Sequence, residues 1–200
     1  GNISVKPDVA YVTIGAQTKK MSSAAASKEN AKIMDAMLKA LKTEGIEDNE
    51  VETSQFSITP QHNYDNSGKA IFDGYQVTNL VTIKIKNIDK TSAILDKAVT
   101  AGANHVSGVS FEIEDRGKVY EDALDLAVKD ARLKAEVMMK AAGVTQELKP
   151  YKVAEASYSA LPVYEKSYAR VMSEPEMSTQ LMPGALKVTA QVEVTFTWTP

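Results

Sequence analysis

The segment from Leu186 to Trp198 alternates apolar and polar side chains without interruption. Successive side chains of a β-strand point to opposite faces, so this period of two predicts one long strand with one face buried and the other in water. Such a strand needs neighbouring strands, and a helix laid across them is an ordinary way to cover its apolar face. Its apolar positions are Leu186, Val188, Ala190, Val192, Val194, Phe196 and Trp198.

Elements of the same kind are predicted in the same order twice. The first half contains strand 9–18, helix 22–43, strand 51–64 and strand 71–86. The second half contains strand 106–114, helix 118–142, strand 151–158 and strand 186–198. We therefore predict an α+β fold, in which a duplicated β-α-β-β unit carries helices packed on long, mostly antiparallel strands.

The predicted domain spans residues 1–200, with pseudo-repeats 5–86 and 106–198 joined by a connector helix at 91–101. The sequence YQVTNLVTIKI, from Tyr75, resembles LKVTAQVEVTF, from Leu186, which supports duplication. A chance resemblance between two amphipathic strands is the alternative. The order of the elements is the stronger evidence for a repeat.

Two local features specify the first half in more detail. The sequence DNSGK, at 65–69, contains the Asn, Ser and Gly typical of a turn, and it predicts an antiparallel hairpin between the flanking strands. Gly15, inside the first strand, indicates either a β-bulge or a close approach of another backbone.

An insertion at 160–184 distinguishes the second half from the first. A connection of this length without secondary structure is uncommon in a compact domain, and is often functional or disordered. A mobile surface loop is one interpretation; a subunit or ligand contact formed by adaptable methionines is the other. The residues of this predicted interaction surface are Tyr164, Tyr168, Met172, Met177 and Met182.

Composition excludes several classes of protein. With 23 basic and 26 acidic residues, the net charge of -3 does not favour a nucleic-acid-binding protein, whose affinity depends on phosphate contacts. No apolar run approaches the roughly 20 residues of a membrane-spanning helix. Absence of cysteine rules out disulfides and thiolate chemistry. The first residues, from Gly1, have strand character rather than that of a signal peptide, so they do not indicate a compartment.

Candidate catalytic and metal-binding residues are few. His62 and His105 lack the spacing of a metal-binding motif, and we expect both to be exposed or locally hydrogen-bonded. Glu112 and Glu114 alternate with apolar residues, which places them on the solvated face of a strand rather than in an acid–base pair. We predict no catalytic residue, no metal site and no cofactor.

Several segments are similar to one family. The opening GNISVKPD, from Gly1 to Asp8, resembles the Gly-x-x-x-Val-x-Pro-Asp entry of SIMPL-domain (DUF541) proteins. Further matches are Gly45-Ile46, Val51-Thr53, Ile58-Pro60, Gly74-Tyr75 and the stretch from Leu95 to Phe111. The insertion is similar to that of bacterial periplasmic immunogenic proteins of the Brucella type.

This resemblance implies a non-enzymatic protein that is periplasmic, on the cell surface or secreted, with a loose link to stress tolerance. It also implies a homo-oligomer, because the Brucella relative forms ring or channel-like assemblies. The family supplies no catalytic residues to transfer. A small-molecule or peptide-binding module that uses the 160–184 loop is the alternative function.

Overall fold

The computed structural model describes residues 1–157, 163–164 and 181–198. In chain order the elements are β1 (Asn2–Val5), β2 (Val9–Lys20), α1 (Ser23–Thr43), β3 (Val51–Tyr64), β4 (Ala70–Ile85), α2 (Thr91–Thr100), β5 (His105–Glu112), α3 (Arg116–Ala141), β6 (Lys149–Ser157), β7 (Val163–Tyr164), β8 (Leu186–Thr189) and β9 (Gln191–Thr197). Helices pack on antiparallel strands, which confirms the predicted α+β class.

Contacts divide the chain into two compact units. The central unit comprises the described residues of Asp8–Glu112 and Val171–Met182. The terminal unit comprises those of Gly1–Pro7, Ile113–Arg170 and Pro183–Pro200. Each unit has its own cluster of buried apolar side chains.

The central unit contains a four-stranded antiparallel sheet in the order β3-β4-β2-β5. Helix α1 packs against β2 and β4, and α2 packs against α1. The core lies between α1 and the apolar faces of the two central strands, with Val12, Ile14 and Ile83 almost completely buried. The buried residues of α1 recur every three or four positions, as expected for a helix with one buried face: Ala26, Asn30, Met34, Met37 and Leu41.

Asn30 is the polar member of this buried stripe. It is only 1% exposed, and its Nδ2 donates to the backbone oxygens of Ala16 at 2.8 Å and Val77 at 3.4 Å. A buried amide without partners would be strongly unfavourable, so these bonds fix α1 to both central strands. The sequence-based helix pattern did not identify Asn30 as a core residue.

Gly15 lies where two central strands approach closely. A Cβ atom at this position would lie 1.9 Å from the backbone oxygen of Asn79 and 2.9 Å from the Cα of Leu80. The pairing of β2 with β5 also shifts register between Thr13 and Ile14, beside Gly15. The predicted close approach is therefore confirmed, and a bulge lies next to it.

The terminal unit packs α3 against β1, β8 and β9. Small residues on the buried face of the helix, Ala123 and Ala127, allow it to lie close to the strands. Leu186 and Val188 of β8 complete the core with Tyr120, whose hydroxyl donates to the carboxylate of Glu155. The strands form a sheet in the order β1-β8-β7 and a separate pair of β6 with β9.

The predicted single strand at 186–198 is wrong in one respect, because it is divided at Ala190 into β8 and β9. Ala190 exchanges two backbone bonds with Gly1: the Gly1 amine donates to the Ala190 oxygen at 2.9 Å, and the Ala190 amide donates to the Gly1 oxygen at 3.0 Å. Strand β8 pairs with β1, whereas β9 pairs with β6. The predicted alternation of burial nevertheless continues through both strands.

The insertion at 160–184 also differs from a continuous structureless connection. It contains β7, in which Val163 pairs with Lys187 and Tyr164 pairs with Leu186. Strand β5, assigned to the second pseudo-repeat, pairs with β2 in the sheet of the central unit. The duplication itself stays a prediction.

Within the described ranges, no helix combines the length and the hydropathy needed to cross a membrane.

Candidate interaction surface

Strand β3 forms one edge of the central sheet. Its inner side pairs with β4, and in the described part of the chain no strand follows it on the outer side. Edge strands present unpaired backbone N–H and C=O groups that can pair with another chain, and proteins often protect them with bulges, charges or proline. In β3, these protective features lie toward the two ends.

The regular part of β3 lies between two irregularities. Pairing with β4 shifts between Thr53 and Gln55, and again between Pro60 and His62. Pro60 has no N–H to donate, and Glu52 is the charged residue of the strand. The intervening residues, Gln55–Thr59, carry no charge. We call this stretch the edge window.

Two large apolar side chains of the edge window are exposed to solvent. Phe56 is 59% exposed and Ile58 is 44% exposed. Being two residues apart on a strand, they point to the same face of the sheet. Ile58 lies opposite Val77, which lies opposite Thr18, and the Thr18 hydroxyl bonds to the α1 backbone at Ala26. Phe56 and Ile58 therefore lie on the sheet face that α1 covers elsewhere.

The β3–β4 hairpin extends beyond β2 as a two-stranded arm. Strand β2 pairs with β4 only as far as Tyr75, so Ala70–Gly74 pairs with β3 alone. On this arm Tyr64, Ile71 and Phe72 are exposed, Tyr64 at 74%. The Phe72 ring makes edge-to-face contacts with His62 and Tyr75, at centroid distances of 5.8 and 5.2 Å.

Polar contacts support the base of the arm. The Asp73 carboxylate forms an ion pair with Lys19 and accepts from the Asn63 Nδ2 at 2.7 Å. These contacts tie both strands of the hairpin to β2. The position of the arm relative to the central sheet is therefore constrained, although most of its described residues are exposed.

The tip of the arm is the predicted DNSGK turn, and the structure confirms it. The Asp65 Oδ1 accepts from the Ser67 amide at 2.8 Å, the Ser67 hydroxyl at 2.6 Å and the Lys69 amide at 2.9 Å. Gly68 adopts a φ of 80°, which favours glycine. These bonds lower the pKa of Asp65 below its ordinary value, with the Ser67 hydroxyl as the main cause.

Acidification is expected to loosen this turn. The folded-state pKa of Asp65 is depressed. The stabilisation of the turn by the Asp65 carboxylate is therefore present above the unfolded pKa and is lost as the pH falls through the folded pKa. In an NMR titration, the Ser67 and Lys69 amide shifts should change with a midpoint below the ordinary pKa of an aspartate. Asp65→Asn, which keeps an acceptor oxygen, should remove that titration. Unchanged amide shifts throughout the acid range in the wild type would contradict the prediction.

A groove of about 410 Å³ lies between α1 and β3. Its floor is apolar and includes Leu38, Ile46 and Val51, whereas its rim carries two ion pairs. The ion pairs join Lys39 to Asp35 at 2.8 Å and Lys42 to Asp48 at 2.7 Å. The apolar surface near β3 thus includes a concave part as well as an edge.

The structure describes only part of the interaction surface predicted on the insertion. Met182 is 66% exposed. Tyr164 lies in β7. Tyr168, Met172 and Met177 lie outside the described residues. That surface stays a prediction, and the sequence patterns do not indicate the exposed side chains of the β3–β4 hairpin.

The residues considered for chemistry are dispersed. His62 is exposed on the arm and contacts Phe72, while His105 is half-buried at the start of β5. Glu112 is half-buried at the end of β5, and Glu114 is exposed. Among the residues placed by the structure, no three His, Asp or Glu side chains are grouped as a metal site requires.

The family match covers almost the whole chain. Residues 1–196 match SIMPL, described as a protein of unknown function (DUF541). The chain belongs to the SIMPL family. The resemblance seen in the sequence motifs is therefore confirmed.

Relatives from this family share about a quarter of their residues with the chain. The 26 kDa periplasmic immunogenic protein of Brucella melitensis is 26% identical over 98% of this chain and 81% of the relative. The uncharacterized protein YggE of Escherichia coli K12 is 24% identical over 100% of this chain and 80% of the relative. YggE of Edwardsiella ictaluri is 24% identical over 92% of this chain and 71% of the relative. The Brucella name supports a periplasmic or envelope location for this SIMPL protein.

Proposed function

We propose that this chain is a non-enzymatic, exported SIMPL-domain protein that self-assembles at the cell envelope through its sheet edges and the 160–184 insertion. The observation that carries the proposal is the edge strand β3, with an uncharged window and two exposed apolar side chains. A role in stress tolerance is included because of the family resemblance.

Two physical terms favour association at this edge. Pairing with another strand would satisfy backbone groups on the outer side of β3 that no strand of the described residues pairs with, and it would remove Phe56 and Ile58 from water. Exposed apolar area of this kind typically marks an interaction site when it is contiguous. The arm adds Tyr64, Ile71 and Phe72 on the same hairpin.

Light scattering at increasing protein concentration tests the assembly. We expect the wild type to associate. The double variant Phe56→Lys/Ile58→Lys should need roughly tenfold or more higher concentration, because lysine on an edge strand opposes pairing. Leu133→Lys is the control, since Leu133 is an exposed apolar residue of α3 and should leave the assembly unchanged. A wild type that stays monomeric at high concentration would overturn the proposal.

A second candidate function is a small-molecule or peptide-binding module that uses the 160–184 loop. The exposed Met182 favours it, because a flexible methionine adapts to varied apolar ligands. The apolar groove between α1 and β3 is a further concave surface. Thermal-shift screening of small molecules and peptides distinguishes the functions: a ligand of the folded state raises the unfolding midpoint without requiring self-association.

A further inference from the structure

We propose that the edge window of β3 pairs antiparallel with the same window of a second copy, with Ser57 of one protomer opposite Ser57 of its partner. This inference rests on the proposed self-assembly and specifies its interface. The partner is a second copy because the window is complementary to itself.

The boundaries of the window determine the register. Regular pairing with β4 runs from Gln55 to Pro60, and Pro60 cannot donate a hydrogen bond. The usable residues are thus Gln55–Thr59, and their midpoint is Ser57. A two-fold axis through Ser57, normal to the sheet, is the arrangement that pairs every residue of the window. Displacement in either direction would place a window residue opposite Ser54 or Pro60.

The side chains are compatible with this register. It places Phe56 opposite Ile58 of the partner subunit and Gln55 opposite Thr59 of the partner subunit. A two-fold axis normal to the sheet keeps the α1-covered faces on one side, so both Phe–Ile pairs form on that face. Aromatic–β-branched pairs directly opposite each other stabilise antiparallel sheets. No charge is brought into contact, since the window contains none.

Cysteine cross-linking tests the register directly, because these 200 residues contain no cysteine. Opposite residues in an antiparallel pair have Cα atoms about 4.5 to 5.5 Å apart, within the range of a disulfide. Ser57→Cys in the full chain should therefore oxidise to a covalent dimer. Gln55→Cys is the register control: two such positions would be offset by four residues, roughly 13 Å, which is too far for a disulfide.

A second control examines the other edge of the sheet. Ser107→Cys places the thiol on β5, at an exposed position. Under mild oxidation, Ser57→Cys should give at least roughly tenfold more dimer than either control, because only its sulfurs face each other. Light scattering on the wild type is run in parallel.

The outcomes separate the two proposals. A wild type that associates while Ser57→Cys cross-links no better than Gln55→Cys would overturn this interface and leave self-assembly standing. Preferential cross-linking of Ser107→Cys would overturn the β3 interface and would indicate that the copies associate through β5. A strictly monomeric wild type would overturn both proposals. A strand from another protein would then be the candidate partner of the β3 edge.

Discussion

Asn30→Asp is expected to destabilise the central unit by about 3 kcal/mol at neutral pH. The substitution changes little in shape, but it replaces two donor hydrogens with a carboxylate oxygen. That oxygen would face the backbone oxygen of Ala16, 2.8 Å from the present nitrogen, at a position that is 1% exposed. Burial would oppose ionisation of the new carboxyl, and acceptor would face acceptor.

The sign of the pH dependence distinguishes this mechanism from a general loss of packing. Burial should raise the folded-state pKa of the new carboxyl above its unfolded value of about 3.9. The penalty is complete above the folded pKa and diminishes as the pH falls toward the unfolded pKa, since the protonated acid can donate to Ala16. Urea denaturation of variant and wild type, compared at each pH, measures the difference.

A matched substitution controls for the change in charge. Asn87→Asp introduces the same carboxylate at an exposed position beside Lys86, and the free energy of unfolding should change by less than about 0.5 kcal/mol. If Asn30→Asp were equally mild at neutral pH, the proposed role of Asn30 in attaching α1 to the sheet would be wrong.

Gly15→Ala should destabilise the central unit by about 3 kcal/mol. The reason is steric and not conformational, because Gly15 does not adopt a positive φ. An added methyl group would overlap the Asn79 backbone oxygen, and neither strand can move away without breaking the β2–β4 pairing. Urea denaturation followed by circular dichroism would show the loss as a lower midpoint.

Gly108→Ala provides the comparison for Gly15→Ala. Gly108 lies on β5, opposite Thr13, and a Cβ atom there would have no heavy atom within 4 Å. Because alanine restricts the unfolded chain more than glycine does, this variant should be neutral or slightly more stable. Equal losses for the two variants would show that close strand approach at Gly15 does not limit stability.

Features that depend on neighbours in sequence were predictable. The periodicity of side chains gave the type of the main elements, because burial on one face imposes a period of two on strands and near 3.6 on helices. The turn at Asp65 was predictable for the same reason, since the bonds of Asp65 within it reach no further than Lys69, four residues along the chain. Gly15 indicates a close approach from sequence alone, because glycine in a strand interior often marks a bulge or a neighbouring backbone.

Features that depend on distant partners were missed. Asn30 follows the apolar spacing of α1, and a polar residue on that stripe is the one signal that could have identified its buried role. The division at Ala190 has no signal in the alternating pattern, because the side-chain period continues while the pairing partner changes from β1 to β6. Partner choice is set by backbone contacts between residues far apart in sequence.

The alternating run from Leu186 to Trp198 shows how much of the structure can be predicted from sequence alone. By itself it determined strand character and the buried face, because both follow from the geometry of a single extended chain. The tertiary structure alone decided where pairing changes in that run and which strands lie at an edge. Phe56 and Ile58 have ordinary apolar positions in sequence, and they become a candidate interface only because no strand of the described chain covers the outer side of β3.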